Sequence, residues 1–245
     1  MADSVSVEAG IYERNRSFYD SLWRHVSLRP PEWFNTWPVV EELVQGREHF
    51  LEIGPGVRPR LPVARSIFLD LSAEAARKLA RGGGRPLRGN LIALPFPSGA
   101  FDAVCALDVI EHASDQEAVF SELGRVLKSD GGLLFAVPVH SGAWTEFDRL
   151  VGHHVRYDAD SLRAILARHG LVVERSATYG ILPRSRMALG IGAWVLKRFR
   201  GPAAWFEDRL VMPIARRFQK GIEWREGLRI EERAGGIIAV VRRRQ

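Results

Sequence analysis

The chain has 245 residues, 46% of them hydrophobic and 26% charged, the balance of a folded domain and too apolar for a disordered one. Cys105 is its single cysteine, which excludes an internal disulfide, a cysteine zinc site and an iron–sulfur cluster. The formal charge is +6, but residues 178–230 hold eleven basic side chains against four acids, so that segment carries +7 and the rest of the chain sums to −1.

The opening residues, MADSVSVEAG, show neither a basic n-region nor an apolar h-region, and the longest apolar run, 187–196, is half the ~20 residues that a spanning helix needs. A cytoplasmic protein is therefore expected. Residues 11–28 place Tyr12, Tyr19, Leu22, Trp23 and Val26 at helical spacing, and Pro30 and Pro31 end the run. From residue 49 short apolar runs at 50–53, 67–71, 101–107, 133–139, 171–173 and 237–241 alternate with helical stretches at 73–81, 115–128 and 159–169. Strand–helix alternation with strands apolar on both faces predicts an α/β, doubly wound parallel sheet. One domain is expected over 1–245: a helix at 11–28 that acts as a lid, a core at 48–177, an insertion at 180–230 and a last strand at 236–243. Some sixty residues separate the final two strands, where a connection is usually ~2–6 residues long.

The first strand runs straight into Gly54-Pro55-Gly56, a turn in which missing Cβ atoms let the chain bend and a ligand approach. Asp70 closes the next run, where a carboxylate can hold two ribose hydroxyls. A dinucleotide fingerprint needs a third glycine, but position 59 is proline, so a nucleotide without a pyrophosphate fits better. Only ten residues, 57–66, separate the turn from the second strand, with Pro59 and Pro62 among them; a full helix there is excluded at ~3 kcal/mol per interior proline.

These motifs resemble, in order, those of the class I S-adenosylmethionine-dependent methyltransferases, in the group whose small-molecule members carry a Leu-Pro-Phe motif. Glu52-x-Gly54-x-Gly56 matches the first motif, Asp70 the ribose-binding acid, and Gly89-Asn90-Leu91-Ile92-x-Leu94-Pro95-Phe96 the adenine segment, with asparagine where aspartate is usual. Phe101-Asp102-Ala103-Val104 followed by Asp108-Val109-Ile110-Glu111-His112 matches the fourth strand and its loop. The turn Leu127-Lys128-x-Asp130-Gly131-Gly132 matches the entry to the fifth strand. The resemblance implies a Rossmann-like seven-stranded sheet and S-adenosylmethionine as cofactor. It places that cofactor on Glu52, Gly54, Pro55, Gly56, Asp70, Leu71, Asn90, Leu91, Ile92, Asp108, Val109 and Ile110.

Methyl transfer from a sulfonium needs alignment, and it needs a base only when the acceptor carries a proton that must leave. His153 and His154, in Gly152-His-His-Val-Arg156, and His112 are the candidates, read against loop histidines that only bond backbone. Arg156 either holds an acidic group or makes a surface ion pair. Asp108-x-x-Glu111-His112 resembles the metal-binding Glu-x-x-Glu-His of ubiquinone-pathway O-methyltransferases, but no metal is assigned, since similar segments occur in relatives without one. Cys105 reads as core. The expected acceptor is an apolar, lipid-linked or glycan-like small molecule, methylated at oxygen. Metal-assisted catechol methylation, RNA or protein methylation and a catalytically dead scaffold are the alternatives; the charge clusters on an apolar insertion rather than on a nucleic-acid module, so no nucleic-acid partner is assigned. Residues 185–220 mix aromatic, apolar and basic positions, which suits a cap over the acceptor pocket, a membrane-surface contact or a dimer face.

Overall fold

In a computed structural model of the protein, the residues described are 13, 15–181, 190 and 194–244. Tyr12 and most of the apolar run 187–196 lie outside them. Helix α1 covers residues 15–23 and α2 covers Trp37–Val44. The core follows as β1 (Phe50–Ile53), β2 (Ser66–Leu69), α3 (Ala73–Arg81), β3 (Arg85–Leu87), β4 (Phe101–Leu107), α4 (Gln116–Val126) and β5 (Leu127–Pro138). It continues through α5 (Glu146–Val151), α6 (Ala159–Arg168) and β6 (Leu171–Ile181), and closes with the two-residue β7 (Arg225–Glu226) and β8 (Ala234–Arg243).

The strands form one sheet in the order β3-β2-β1-β4-β5-β8-β6-β7. Pairing from β3 to β5 is parallel, and β8 then enters antiparallel between β5 and β6. The sheet is doubly wound. On one face Val39, Val40 and Leu43 of α2 pack against Phe50, Cys105, Leu134 and Val240. On the other, Phe120 and Leu123 of α4 and Leu162 and Leu166 of α6 pack against Leu51, Val104, Phe135 and Val137. Each such side chain contributes about 1.5–3 kcal/mol on leaving water. Strand order reverses between β1 and β4, and the loops after their carboxyl ends face the crevice where ligands bind in sheets of this kind.

Eight strands stand where seven were expected. The addition, β7, belongs to the insertion and pairs only with Arg175 and Ser176 at the sheet edge. The strand predicted at 171–173 continues to Ile181, and a register shift between Val173 and Arg175 breaks the alternation that would have marked its full length in the sequence. Edge strand β3 was not predicted: Arg85-Pro86-Leu87 is mostly exposed, and proline is tolerated at an edge. No helix forms between β1 and β2, as the prolines require; a single turn, Val63–Arg65, is all the connection holds. Glu52 fastens that connection. It is 2% exposed, and its carboxylate accepts from the backbone N–H groups of Arg60 and Leu61 at 2.9 Å.

Helix α1 and the insertion pack over this connection. Asp20 of α1 accepts from the Ser72 hydroxyl (2.6 Å) and the Glu74 N–H (3.1 Å) at the start of α3, and Lys78 donates back to the carbonyls of Trp23 and Val26. Within the insertion, Arg200–Phe206 runs through a π turn at Glu207–Val211 into Met212–Arg217. Pro213 falls in the first turn after the π segment. Ala204 joins Val26, Val57 and Ala75 in a small apolar cluster. Asp208, fully buried, accepts from the Ser27 N–H at 3.1 Å and from Arg29 through Nε (3.1 Å) and Nη2 (2.9 Å).

Removing one member of a buried ion pair strands the other. Asp208→Ala is expected to destabilise the protein by about 3 kcal/mol and to make the segment around 200–217 the first that a protease cuts. Thermal melts and limited proteolysis check this; parental melting and cleavage rates would contradict it.

Candidate active site

A cavity of ≈ 850 Å³ opens at the carboxyl ends of β1, β2 and β4. Both glycines of the first turn have positive φ, +63° at Gly54 and +56° at Gly56, and both are needed for space as well. A Cβ on Gly54 would come within 2.4 Å of Val109, and one on Gly56 within 2.4 Å of Trp23. The turn therefore carries β1 directly beneath the loop after β4 and against the ring of Trp23.

Glu52, Gly54, Pro55, Gly56, Asp70, Leu71, Asn90, Leu91, Ile92, Asp108 and Val109 all line the cavity. Ile110 does not: it is fully buried in the core beneath. Asp70 is placed by backbone amides, its carboxylate accepting from Gly56 and Ser72 at 2.8 Å each and also from Leu71, which leaves acceptor capacity for a further donor. Burial raises its pKa to about 6. Burial outweighs the two amide bonds at Glu52 as well and raises its carboxyl to about 7. Asn90 turns its own side-chain oxygen to the Ile92 N–H at 3.2 Å. Asp108 sits at φ 51°, an uncommon conformation for a side-chain-bearing residue, and accepts from the hydroxyl of Tyr179, another lining residue. The walls of the cavity raise the Asp108 carboxyl as well.

Helix α1 adds Asn15, Tyr19 and Trp23 to the lining, and the helix-free connection adds Arg58 and Arg60. Each of these arginines buries an Nε that has no hydrogen-bond partner. The described part of the insertion beyond residue 190 contributes no lining residue, and so among the described residues it braces the wall rather than caps the mouth.

The histidines differ in what they can do. His112 has both ring nitrogens engaged: Nδ1 faces the Gly152 carbonyl at 3.2 Å and so must donate, leaving Nε2 to accept from the Tyr19 hydroxyl at 3.2 Å. Burial drives its pKa down to about 3, and the neutral ring ties α1 to the loop after α5. His153 is different. Its Nδ1 donates to the ionised Asp148 at 2.8 Å, so Nε2 carries a lone pair, directed toward the cavity wall near Glu111 at 3.5 Å. Burial lowers the His153 pKa, although Asp148 pulls the other way. His154 is exposed at the cavity rim, its backbone N–H donating to the Glu111 carbonyl. Arg156 is not a surface ion pair: its guanidinium is nearly buried and forks onto Asp148 at 2.9 and 3.1 Å.

Asp148 therefore organises this side of the site. The sequence marks it only by the Thr145-x-x-Asp148 capping box of the short helix α5, with Gly152 as its stop. Among the described residues the metal-capable cluster consists of Glu111, His112 and His153, whose ligand atoms lie within 4.8 Å of one another, and it omits Asp108. A cation there would have to displace Tyr19 or Gly152 from His112. Cys105 is buried in the core, as expected.

Residues 51–135 match the family model for a methyltransferase domain. A sterol 24-C-methyltransferase of Gibberella zeae is 44% identical over 45 residues, 18% of this chain and 12% of that protein. A demethylmenaquinone methyltransferase of Deinococcus radiodurans is 26% identical over 186 residues, 69% of this chain and 73% of that protein. The chain spans less than half the length of the first curated relatives that it matches. Among solved structures, an S-adenosylmethionine-dependent methyltransferase of Thermotoga maritima superposes with a TM-score of 0.55 at 16% identity, covering 87% of this chain and 93% of that one.

A carboxyl whose pKa is raised on folding stabilises the protein while protonated, an effect present below its unfolded value of ~4 and lost as pH rises through the folded value. For Glu52 and Asp70 that loss falls between about pH 4 and 7. Glu52→Gln, which stays neutral, is expected to lose melting temperature less steeply than the parent from pH 5 to 7.5. Parallel declines would contradict the assignment.

Proposed function

We propose, for a chain that carries a class I S-adenosylmethionine-dependent methyltransferase domain, transfer of a methyl group to an oxygen of an apolar, lipid-linked or glycan-like small molecule, with His153 as the base. The observation that carries this reading is the lone pair on His153 Nε2, fixed by Asp148 on the wall of the same cavity that the Gly54–Gly56 turn enters.

The lining suits the cofactor. Asp70 has acceptor capacity for ribose hydroxyls, Leu71, Leu91, Ile92 and Val109 offer apolar surface to a base, and the unpartnered Nε atoms of Arg58 and Arg60 suit an amino-acid carboxylate. When bound, S-adenosylmethionine supplies a methyl group on an already activated leaving group. The protein's share is then alignment, which is worth up to ~7–11 kcal/mol, and management of one proton. His153 accepts that proton from the acceptor hydroxyl at Nε2 as the oxygen–methyl bond forms. Asp148 holds the ring in the required tautomer and stabilises the imidazolium that results. The lowered His153 pKa keeps the base form populated at neutral pH. His112, with no lone pair to spare, positions α1 and takes no proton. The sterol and menaquinone acceptors named for the relatives support an apolar substrate.

Two measurements test the reading. Asp70→Ala is expected to weaken S-adenosylmethionine binding by about 1.5–3 kcal/mol in titration calorimetry, and parental affinity would place the ribose elsewhere. A screen with labelled cofactor against lipid, quinone, phenol and sugar pools identifies the acceptor. On that acceptor His153→Ala is expected to lower kcat by ~10²–10⁴-fold with cofactor affinity unchanged. Activity of the variant within a few-fold of the parent would remove His153 as base, and activity lost to a chelator and restored by magnesium would favour metal-assisted transfer.

A further inference from the structure

Among the described residues nearly every exposed large apolar side chain lies in one segment. Trp194 (60% exposed), Phe199, Trp205, Phe206, Leu210, Val211, Ile214 and Phe218 (78% exposed) all belong to residues 194–218. Their placement is regular. Phe206, Leu210, Ile214 and Phe218 follow one another at four-residue steps along the outer side of the helical run, while Ala204 and Asp208, also four apart, are buried on its inner side. The inner row fixes the helix to the protein through Arg29 and Ser27, and so the outer row faces away from it.

The charge on this segment is one-sided. Residues 194–220 contain seven basic side chains, Lys197, Arg198, Arg200, Arg209, Arg216, Arg217 and Lys220, and two acids. Both acids are already engaged: Asp208 is buried on Arg29 and lies 3.9 Å from Arg209, and Glu207 is paired with Arg58, so at least five of the seven cations have no acid of this segment beside them. What remains is an apolar strip with aromatic residues, bordered by exposed cations. A second copy of the chain is a poor occupant, because a two-fold contact would set the same cations against each other. Apolar side chains of this size also have nothing to gain from a phosphate backbone alone.

We infer that the outer face of residues 194–220 docks on the surface of an anionic lipid bilayer. Its apolar row enters the headgroup–acyl boundary, and its arginines and lysines remain at the level of the phosphates, with their stems along the apolar surface. No helix among the described residues is long and apolar enough to cross a membrane, so the contact is peripheral. The same segment braces Trp23 and Arg58 of the cavity wall through Ala204 and Glu207, which places the docked face one layer from the cavity. Docking does not depend on methyl transfer and is read without cofactor.

Flotation of the full chain with phosphatidylcholine vesicles, with and without phosphatidylglycerol, tests the inference. The parent is expected to float with the anionic vesicles and to be released by high salt. The variant Arg209→Gln/Arg217→Gln/Lys220→Gln is expected to lose partition about five-fold per cation removed. Leu210→Ser/Ile214→Ser/Phe218→Ser, which changes only exposed positions, is expected to lose flotation at low salt while keeping the parent's melting temperature. A parent that does not float with either vesicle, or either variant floating as well as the parent, overturns the inference. So does a dimer that Phe218→Ser dissociates, or capture by RNA, without vesicle binding.

Discussion

The carboxylate of Glu52 holds together the part of this molecule that departs most from a regular α/β sheet. The connection from β1 to β2 is too short and too rich in proline for a helix, and its polar backbone would be left without partners next to the cavity. Glu52, at the centre of β1, accepts from the N–H groups of Arg60 and Leu61 and so replaces the hydrogen bonds that a helix would have made for itself. Burial in the sheet raises the carboxyl and makes it a demanding group to keep inside, acceptable because both oxygens are used.

With no helix covering the connection, other elements must form that wall of the cavity. Trp23 of α1 lies against Gly56, Arg58 reaches Glu207, and Ala204 completes the cluster around Val57. The C-terminal turn of helix α1 is fastened twice to α3, by Asp20 at the start of α3 and by Lys78 on the Trp23 carbonyl. The result is a wall assembled from three distant stretches of sequence, 15–29, 57–62 and 200–217. Two residues of this helix-free connection, Arg58 and Arg60, line the cavity. The opposite wall follows a different logic. There Asp148 gathers His153, Arg156 and Thr145, so that one buried carboxylate sets the tautomer of the histidine that faces the cavity.

The sequence displays those features that depend on near neighbours. The apolar runs of β1 and β4 are uninterrupted because both faces of each strand are buried, and the observed bounds match the predicted ones. The Gly54–Gly56 turn, Asp70 and Asn90 sit where strand ends put them, and all reach the cavity. What the sequence conceals is where individual side chains turn and which partners they take. Asp148 reads as an ordinary helix-cap residue until α5 brings it to His153. Ile110 reads as part of a binding loop, yet its side chain turns into the core while that of its neighbour Val109 faces the cavity. His112 carries the chemistry of a base but spends both nitrogens on partners 40 and 93 residues away. The insertion shows its amphipathic composition plainly, but not which side would be taken by Asp208 and Arg29, since an aspartate among arginines looks like a solvated charge.

The account stands or falls on whether the wall built by α1 and the insertion belongs to the cofactor site. Amide hydrogen exchange with and without S-adenosylmethionine measures this directly. Cofactor is predicted to slow exchange not only in the turn at 53–56 and around Asp70, but also in residues 15–29 and 200–212, because Trp23, Arg58 and Glu207 link them. Protection confined to the loops after β1, β2 and β4, with 15–29 and 200–212 exchanging as in the free protein, would contradict it.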